Sequence, residues 1–355
     1  MEKYKILKDL VSINTINDKE NDKFIKYVSS VLESKGFNID LIKFKDNKKC
    51  LVAKSKSKCN LCFMGHSDTV CYSDGWLTNP FILTVKNEYL YGLGACDMKG
   101  GIAAFLETLN SIDVKTLKCG IMVIITYDEE INFEGIMNLK DYKGMPNNII
   151  IGEPTDNVPI ISCKGCLEFK TTLNGLSVHS SEMIKGDNAI LKCFRYINEL
   201  EEYFETLKLE KNNNFDIPFT TMNIAKIIGG NAINIVPDKV ELLYDFRTVF
   251  PRQNKEILKF ITGLSKKHNC ITETLNNVLP KINENEKDIS FIQSITGKKP
   301  KGANYVTEGN FLDKNNIMIL GPGPVTAHQV NEHISIASYN KTIKLYKKII
   351  EYYCS

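Results

Sequence analysis

The side chains best equipped for chemistry in this chain recur at one kind of place, just after a short apolar run. "LCFM", 61–64, leads through Gly65 to His66 and Asp68, in a chain with only 5 histidines. "GIMVIIT", 120–126, is followed by Tyr127 and the acidic run Asp128, Glu129 and Glu130. "NNIII", 147–151, is followed by Gly152 and Glu153, and "NIMIL", 316–320, by "GPGPVTAH" ending in His328. A fifth segment, "YGLGACDMKGG", sets Asp97 ahead of a glycine-rich helix start. Singly, each has an ordinary reading: a packed histidine, a solvated acidic loop, a helix N-cap at Asp97, a turn residue at Glu153. Jointly they imply more. If the runs are parallel strands, their carboxyl ends meet in one crevice. Several carboxylates gathered there repel unless a cation neutralises them. Zinc accepts imidazole and carboxylate ligands, and a neighbouring carboxylate can fix a ligating ring. Asp68, two residues from His66 on an extended segment, points the same way and can hold that ring. Glu129 and Glu130, adjacent on an extended segment, would point to opposite sides, one toward a metal and one toward a water.

The elements that must position these residues follow from periodicity. Two helices are expected in the first 36 residues, one with Tyr4, Leu7 and Leu10/Val11 on a face, the other with Phe24, Tyr27/Val28 and Val31/Leu32. "MKGGIAAFLETLNSI" reads as a helix with Ile102, Phe105/Leu106 and Leu109 inward. Continuous apolar runs alternating with helices indicate an α/β, doubly wound, mostly parallel sheet. After about residue 162 the pattern changes to one-sided alternation: Leu167, Phe169, Thr171 and Leu173 in one segment, Val240, Leu242, Tyr244 and Phe246 in another. That is the pattern of an antiparallel sheet with one wet face. With two helices near 187–207 and 254–267 it makes a smaller α+β domain inserted into the first. The expected division is 1–162 and 277–355 for the catalytic domain and 163–276 for the insert.

Composition narrows the partners. The 355 residues carry 45 basic and 42 acidic side chains, net +3, which gives no electrostatic case for nucleic acid or an anionic membrane. No apolar stretch approaches the ~20 residues needed to span a bilayer. A cytoplasmic location is expected, and 11 cysteines, an odd count, argue for reduced thiols rather than a disulfide framework. The C-x-x-C pairs Cys59/Cys62 and Cys163/Cys166 lie too far apart for a zinc ribbon and read as packing cysteines.

With these residues in place, the sequence resembles the di-zinc metallopeptidase family of acetylornithine deacetylase, succinyl-diaminopimelate desuccinylase, aminoacylase and glutamate carboxypeptidase. The segments that carry the resemblance are "GHSDTV", "GACDMKGG", "TYDEE", "GEPT", "GLSVHSS…GDNAI", "GGNAINIVPD", "DFR" and "GPG…AHQVNE", in family order from 65 to 332. The resemblance implies two divalent ions, zinc first and cobalt as an alternative. His66, Asp97 and Glu153 would hold one ion and Asp97, Glu130 and His328 the other, with Asp97 bridging. It implies Glu129 as general base, Asp68 as support for His66, and His179 of "VHSS" as an oxyanion donor reaching into a partner subunit. The inserted domain would thus be a dimerisation and lid domain, and the protein a homodimer. Arg247 of "DFR" would grip the substrate's α-carboxylate and Asn234 would lie near the substrate.

"GACDMKGG" and "VTEGNFL…LGPGPVTAHQVNE" resemble the acetylornithine deacetylase branch most. The implied small-molecule substrate is an N-acyl amino acid, with N-acetyl-L-ornithine hydrolysed to acetate and ornithine, a step of arginine biosynthesis. Glu308 could meet the distal ammonium or be a surface or hinge residue. A desuccinylase or dipeptidase of the same family, or a non-catalytic binding protein on the same fold, are the competing readings. The serine in "GHSDTV", where threonine is common, and the short chain depart from the branch pattern without touching a ligand position.

Overall fold

The computed structural model describes residues 3–44, 48–314 and 316–355. Along them run helices α1 (Lys5–Ser12) and α2 (Asn21–Ser34), strands β1 (Asn38–Lys43), β2 (Lys49–Lys54) and β3 (Cys59–His66), and short β4 (Thr84–Lys86) and β5 (Tyr89–Tyr91). Next come α3 (Lys99–Thr108), β6 (Gly120–Thr126), α4 (Glu134–Leu139), β7 (Asn148–Ile151) and β8 (Ile160–Cys163). β9 (Cys166–Asn174), α5 (Ala189–Leu207), β10 (Thr221–Gly229), β11 (Lys239–Arg247), α6 (Pro251–Lys267) and β12 (Ile271–Val278) follow. The chain ends with β13 (Lys281–Ile282), α7 (Glu286–Thr296), β14 (Lys301–Ala303), β15 (Asn316–Ile319), β16 (His333–Ser335) and α8 (Ile336–Cys354).

Two compact units result. One comprises Met1–Ile161, Asn283–Lys301 and Phe311–Ser355, the other Ser162–Ile282 and Gly302–Asn310. The boundary expected at 276/277 falls inside β12, which stays paired with β9 as far as Val278 opposite Cys166.

In the first unit the sheet order is β1-β2-β6-β3-β7-β15-β8. The four central strands β6, β3, β7 and β15 are mutually parallel. β1 and β2 add antiparallel at one side, and β8 meets β15 antiparallel at the other. All seven residues of β6 are buried, as a strand covered on both faces requires. From β3 the chain passes through α3 to β6 on one side, then crosses to β7 on the other. β3 is therefore the switch strand, and the crevice opens at its carboxyl end. Its last residue is His66. Phe63 of β3 stacks on Phe105 of α3 at 4.1 Å, and Tyr346 of α8 meets both rings edge-on. Burying such an aromatic is worth about 1.5–3 kcal/mol. This cluster ties the switch strand to the helix that follows Asp97. α3 is buried nearly all round, Ala103 and Ala104 included, where its sequence pattern suggested a single inward face.

The second unit is an antiparallel sheet in the order β10-β11-β9-β12. Leu173 lies opposite Val240, Thr171 opposite Leu242, Phe169 opposite Tyr244 and Leu167 opposite Phe246, all eight buried as the alternation requires. α5 and α6 close this face with residues such as Tyr196, Leu200, Ile257 and Ile261. The hydroxyls that come with it are satisfied internally: Tyr196 meets Tyr244 at 2.9 Å, and Thr171 meets Tyr244 and Thr272. All 11 cysteines are free thiols, and no described helix is long and apolar enough to cross a membrane.

Candidate metal centre

Each expected ligand in the first unit sits at or just beyond the carboxyl end of a central strand, or at the mouth of α3. His66 ends β3, and its ring is fully buried. Its Nδ1 faces the Asp68 carbonyl oxygen at 3.0 Å, the geometry of a donating N–H, with the Asp68 carboxylate at 3.5 Å. Nε2 is thereby aimed at the acids: 3.2 Å from Oδ1 of Asp97 and 3.5 Å from Oε1 of Glu153. The other oxygen of Asp97, Oδ2, lies 3.6 Å from Nε2 of His328, which stands 3.0 Å from Oε2 of Glu130. One carboxylate thus spans two imidazoles, and each imidazole has a further glutamate beside it. His66, Glu129 and Glu153, and also His66, Asp97 and Glu130, present ligand atoms within 4.8 Å of one another.

The local backbone explains the convergence. Asp128 takes a left-handed conformation, φ 60°, so Glu129 and Glu130 lie in a turn rather than on an extended segment. Both carboxylates therefore reach the cluster, where alternation had separated them. Asp68 fixes that turn: its Oδ1 accepts from the Glu129 amide and its Oδ2 from the Glu130 amide. The segment bearing Glu153 is packed without room for a side chain beside it. A Cβ on Gly101 would fall 1.9 Å from the Gly152 carbonyl oxygen, and one on Gly321 would fall 2.4 Å from that of Glu153. Alanine at either position would force the segment bearing Glu153 to shift. His328 is held at φ 62°, an uncommon conformation for a non-glycine residue.

The charges are out of balance in one direction. Burial opposes charge on His66, but Glu153, Asp68 and Asp97 outweigh it and raise the ring well above the ordinary imidazole range. Chiefly through its hydrogen bond to Glu130, His328 is raised to about 9. Burial, then the charge of Asp97, raises Glu153. For Asp97 burial pulls the other way, yet the hydrogen bond and charge of His66 win and lower it. Oε1 of Glu130 is buried with no hydrogen-bond partner among the described residues. An orphaned carboxylate oxygen within an imidazole–carboxylate cluster is what divalent-ion ligands look like without the ion. The residues present fit a two-ion site.

A model of Peptidase family M20/M25/M40 matches residues 62–352. The chain belongs to this family. It is a metallohydrolase acting on amide bonds. It is 33% identical to an acetylornithine deacetylase of Proteus mirabilis over 95% of this chain and 91% of that protein. It is 31% identical to one of Photorhabdus laumondii, covering 95% and 92%. Among solved structures, a tripeptidase from Staphylococcus aureus superposes with a TM-score of 0.77 at 22% identity, covering 98% of this chain and 97% of that one. A dinuclear metal-binding peptidase of the M20 family from Bacillus subtilis gives 0.68 at 14%, covering 98% and 97%. The fold is that of these enzymes.

The remaining expected residues lie in the second unit. His179 is exposed and caps a short 3-10 turn, its Nδ1 accepting from the Ser181 amide at 3.3 Å and lying 2.7 Å from that residue's hydroxyl. Asn234 is exposed and adjacent to it: the Ser180 amide donates to its carbonyl at 2.9 Å. Arg247 ends β11 half-buried, with Nε 3.0 Å from Asp245 and Nη2 3.9 Å from Glu168. Glu308 is fully buried, on neither a surface nor an exposed hinge. His268 and His333 are half-buried, the first on Glu199 and the second against Tyr89 and Tyr91. Glu332 was not singled out by sequence. It is buried, and its carboxylate accepts from the amides of Gly94, Cys96 and Asp97. Only its place in the "AHQVNE" segment hinted at a role.

Proposed function

We propose that the chain removes the acyl group from an N-acyl amino acid, with N-acetyl-L-ornithine as the substrate and acetate and L-ornithine as products. The observation that carries the reading is the Asp97 carboxylate placed between His66 and His328 with a glutamate beside each ring. The relatives named acetylornithine deacetylase support the choice of substrate. In this reading His66, Asp97 and Glu153 hold one divalent ion and Asp97, Glu130 and His328 the second. Zinc is the first candidate and cobalt the alternative. Bound ions would supply Lewis acidity, polarising the scissile carbonyl and lowering the pKa of water.

The chain's own residues do the rest. Asp68 locks the turn that presents Glu129 and Glu130. Glu129, whose carboxylate lies within 4.8 Å of ligand atoms of His66 and Glu153, takes a proton from water and returns it to the leaving amine. Arg247 offers a planar fork to the substrate's α-carboxylate, with Asn234 beside the substrate. His179, exposed and held by Ser181, serves as oxyanion donor from a partner copy, in a homodimer formed through the second unit. Glu308, fully buried, is given no part. Eleven free thiols favour a cytoplasmic setting and, with the substrate, a place in arginine biosynthesis.

The test is metal analysis together with a substrate panel of acetylornithine, succinyl-diaminopimelate and dipeptides. Preference for acetylornithine is expected. Preference for either of the others moves the enzyme to another branch, and a metal-loaded protein that hydrolyses none would revive the non-catalytic reading. Glu129→Gln should retain its metal and lose turnover by about 10²–10⁴-fold. Unchanged turnover would remove the proposed base.

A further inference from the structure

Two segments of the first unit carry ligands of the proposed site: the loop before α3, with Asp97, shared by both ions, and the loop after β15, with His328, a ligand to the second. They come from distant parts of the chain, yet one residue joins them. Oε2 of Glu332 accepts from the Gly94 amide at 2.7 Å. Its Oε1 accepts from the Cys96 and Asp97 amides, each at 2.8 Å. Its main-chain carbonyl accepts from the Gly92 amide at 3.1 Å. A second stitch runs beside it: the Cys96 thiol donates to the Pro324 carbonyl at 3.5 Å, and the Thr326 amide donates to the same sulfur at 3.3 Å. The Thr326 hydroxyl in turn closes the His328 loop on His333, donating to its carbonyl and accepting from its amide.

The chemistry of this arrangement is specific. A buried carboxylate that takes three main-chain N–H groups is a charge-assisted clamp, stronger than neutral hydrogen bonds. One of those groups is the amide of Asp97 itself, so the clamp acts on the residue whose two oxygens must reach two different imidazoles. Glu332 lies four positions beyond His328, so the same side chain sets the spacing between the two ligand loops. Glutamate suits the task and glutamine does not. A glutamine has one acceptor oxygen, and its NH₂ would confront at least one amide donor.

We propose that Glu332 is a positioning residue for metal binding: by clamping the Asp97 loop to the His328 loop it sets the Asp97 carboxylate to bridge two divalent ions. The inference rests on the two-ion reading of the site. Its test is titration of metal-free protein with Zn²⁺ and with Co²⁺ against a competing chelator, for wild type and Glu332→Gln, with the visible spectrum of the cobalt forms recorded. Outer partners of metal ligands carry about 10–100-fold in affinity, so the variant should bind at least one ion tenfold or more weakly. Its cobalt spectrum should change, its metal-free form should still fold, and its lost activity should return at raised metal concentration. Wild-type affinity and an unchanged cobalt spectrum in the variant overturn the inference and leave the functional reading standing. A wild type that binds no ion overturns both. If the glutamine variant does not fold, Glu332→Asp, which keeps the charge on an arm one methylene shorter, is read by the same criteria.

Discussion

The crevice of the first unit and the sheet of the second compensate their acids in different ways. In the second, acids meet permanent cations: Arg247 lies on Asp245 and near Glu168, and Lys170 on Glu241. In the first unit's crevice, Asp97, Glu130 and Glu153 meet imidazoles, their only ion-pair partners among the described residues. Arginine and lysine hold their protons at any ordinary pH, whereas an imidazole carries charge only while protonated. Deprotonate the imidazoles and the three carboxylates are left without compensation. A fixed cation closes a site, while imidazoles leave it ready to exchange protons for metal. The antiparallel sheet is neutralised by its own chain, and the parallel one waits for ions from outside.

Stripping the metal is the most forceful way to break this contrast. A chelator should abolish activity and destabilise the first unit selectively. At free metal 1,000-fold above Kd, the linkage is worth about 4 kcal/mol. Amide hydrogen exchange measured with and without metal should therefore show lost protection at the ends of β3, β6 and β7 and little change in β9 and β11. Equal loss in both sheets, or none in either, would show that the crevice does not depend on an external cation.

How much of this contrast could be read beforehand depended on which signals repeat. The parallel centre was legible because β3, β6, β7 and β15 are short apolar runs, each followed by a polar group, and the alternation of β9 and β11 marked the second sheet. The outer strands β10 and β12 were not: their residues are mostly exposed, so no hydrophobic period marks them, and only their pairing with β11 and β9 makes them strands. β1 was missed for the same reason, being mostly exposed, whereas β2 carries a buried apolar run, Cys50–Ala53, whose signal is as strong as that of the central strands. Within the site, residue types at the strand ends gathered the histidines and carboxylates, and the family resemblance singled out His66, Asp97, Glu130, Glu153 and His328 as the ligand set. The turn at Asp128 was hidden because a left-handed φ leaves no periodicity, and it brings Glu129 and Glu130 to one side. Glu332 was hidden because main-chain amides look the same at every position.

Lys164 sharpens the contrast from the other direction, as a buried cation in the second unit whose Nζ donates to the Phe219 carbonyl at 2.9 Å. Burial holds its ammonium down to about 8, against an ordinary value of about 10.4. The cost of burying this charge is therefore present in full below pH ~8. Between pH ~8 and ~10.4 the unfolded chain keeps a proton that the folded chain has released, so stability rises with pH there. The gain attributable to this residue should be about 1–3 kcal/mol. Urea midpoints at pH 7.5 and 10 for wild type and Lys164→Met should show that rise in wild type and not in the variant. Parallel pH profiles would mean that the ammonium is better solvated than its place in the structure allows.

Arg247 gives the finest distinction, because it belongs to the self-neutralised unit yet is proposed to serve the substrate. As an ion-pair partner it is half-exposed, and such pairs are worth about 0–1 kcal/mol. Its replacement should hardly move the melting temperature. As a carboxylate grip it is worth more, since a planar fork makes two parallel hydrogen bonds that a lysine cannot reproduce. Arg247→Lys should therefore raise KM for acetylornithine by about tenfold, equivalent to about 1.4 kcal/mol. It should leave kcat within a few-fold and leave metal content unchanged, because no ligand is touched. An acyl amine lacking the α-carboxylate should not distinguish the variant from wild type. If KM is unchanged while the melting temperature falls by several degrees, the guanidinium belongs to Asp245 and Glu168 alone, and the second unit contributes no cation to substrate recognition through this residue.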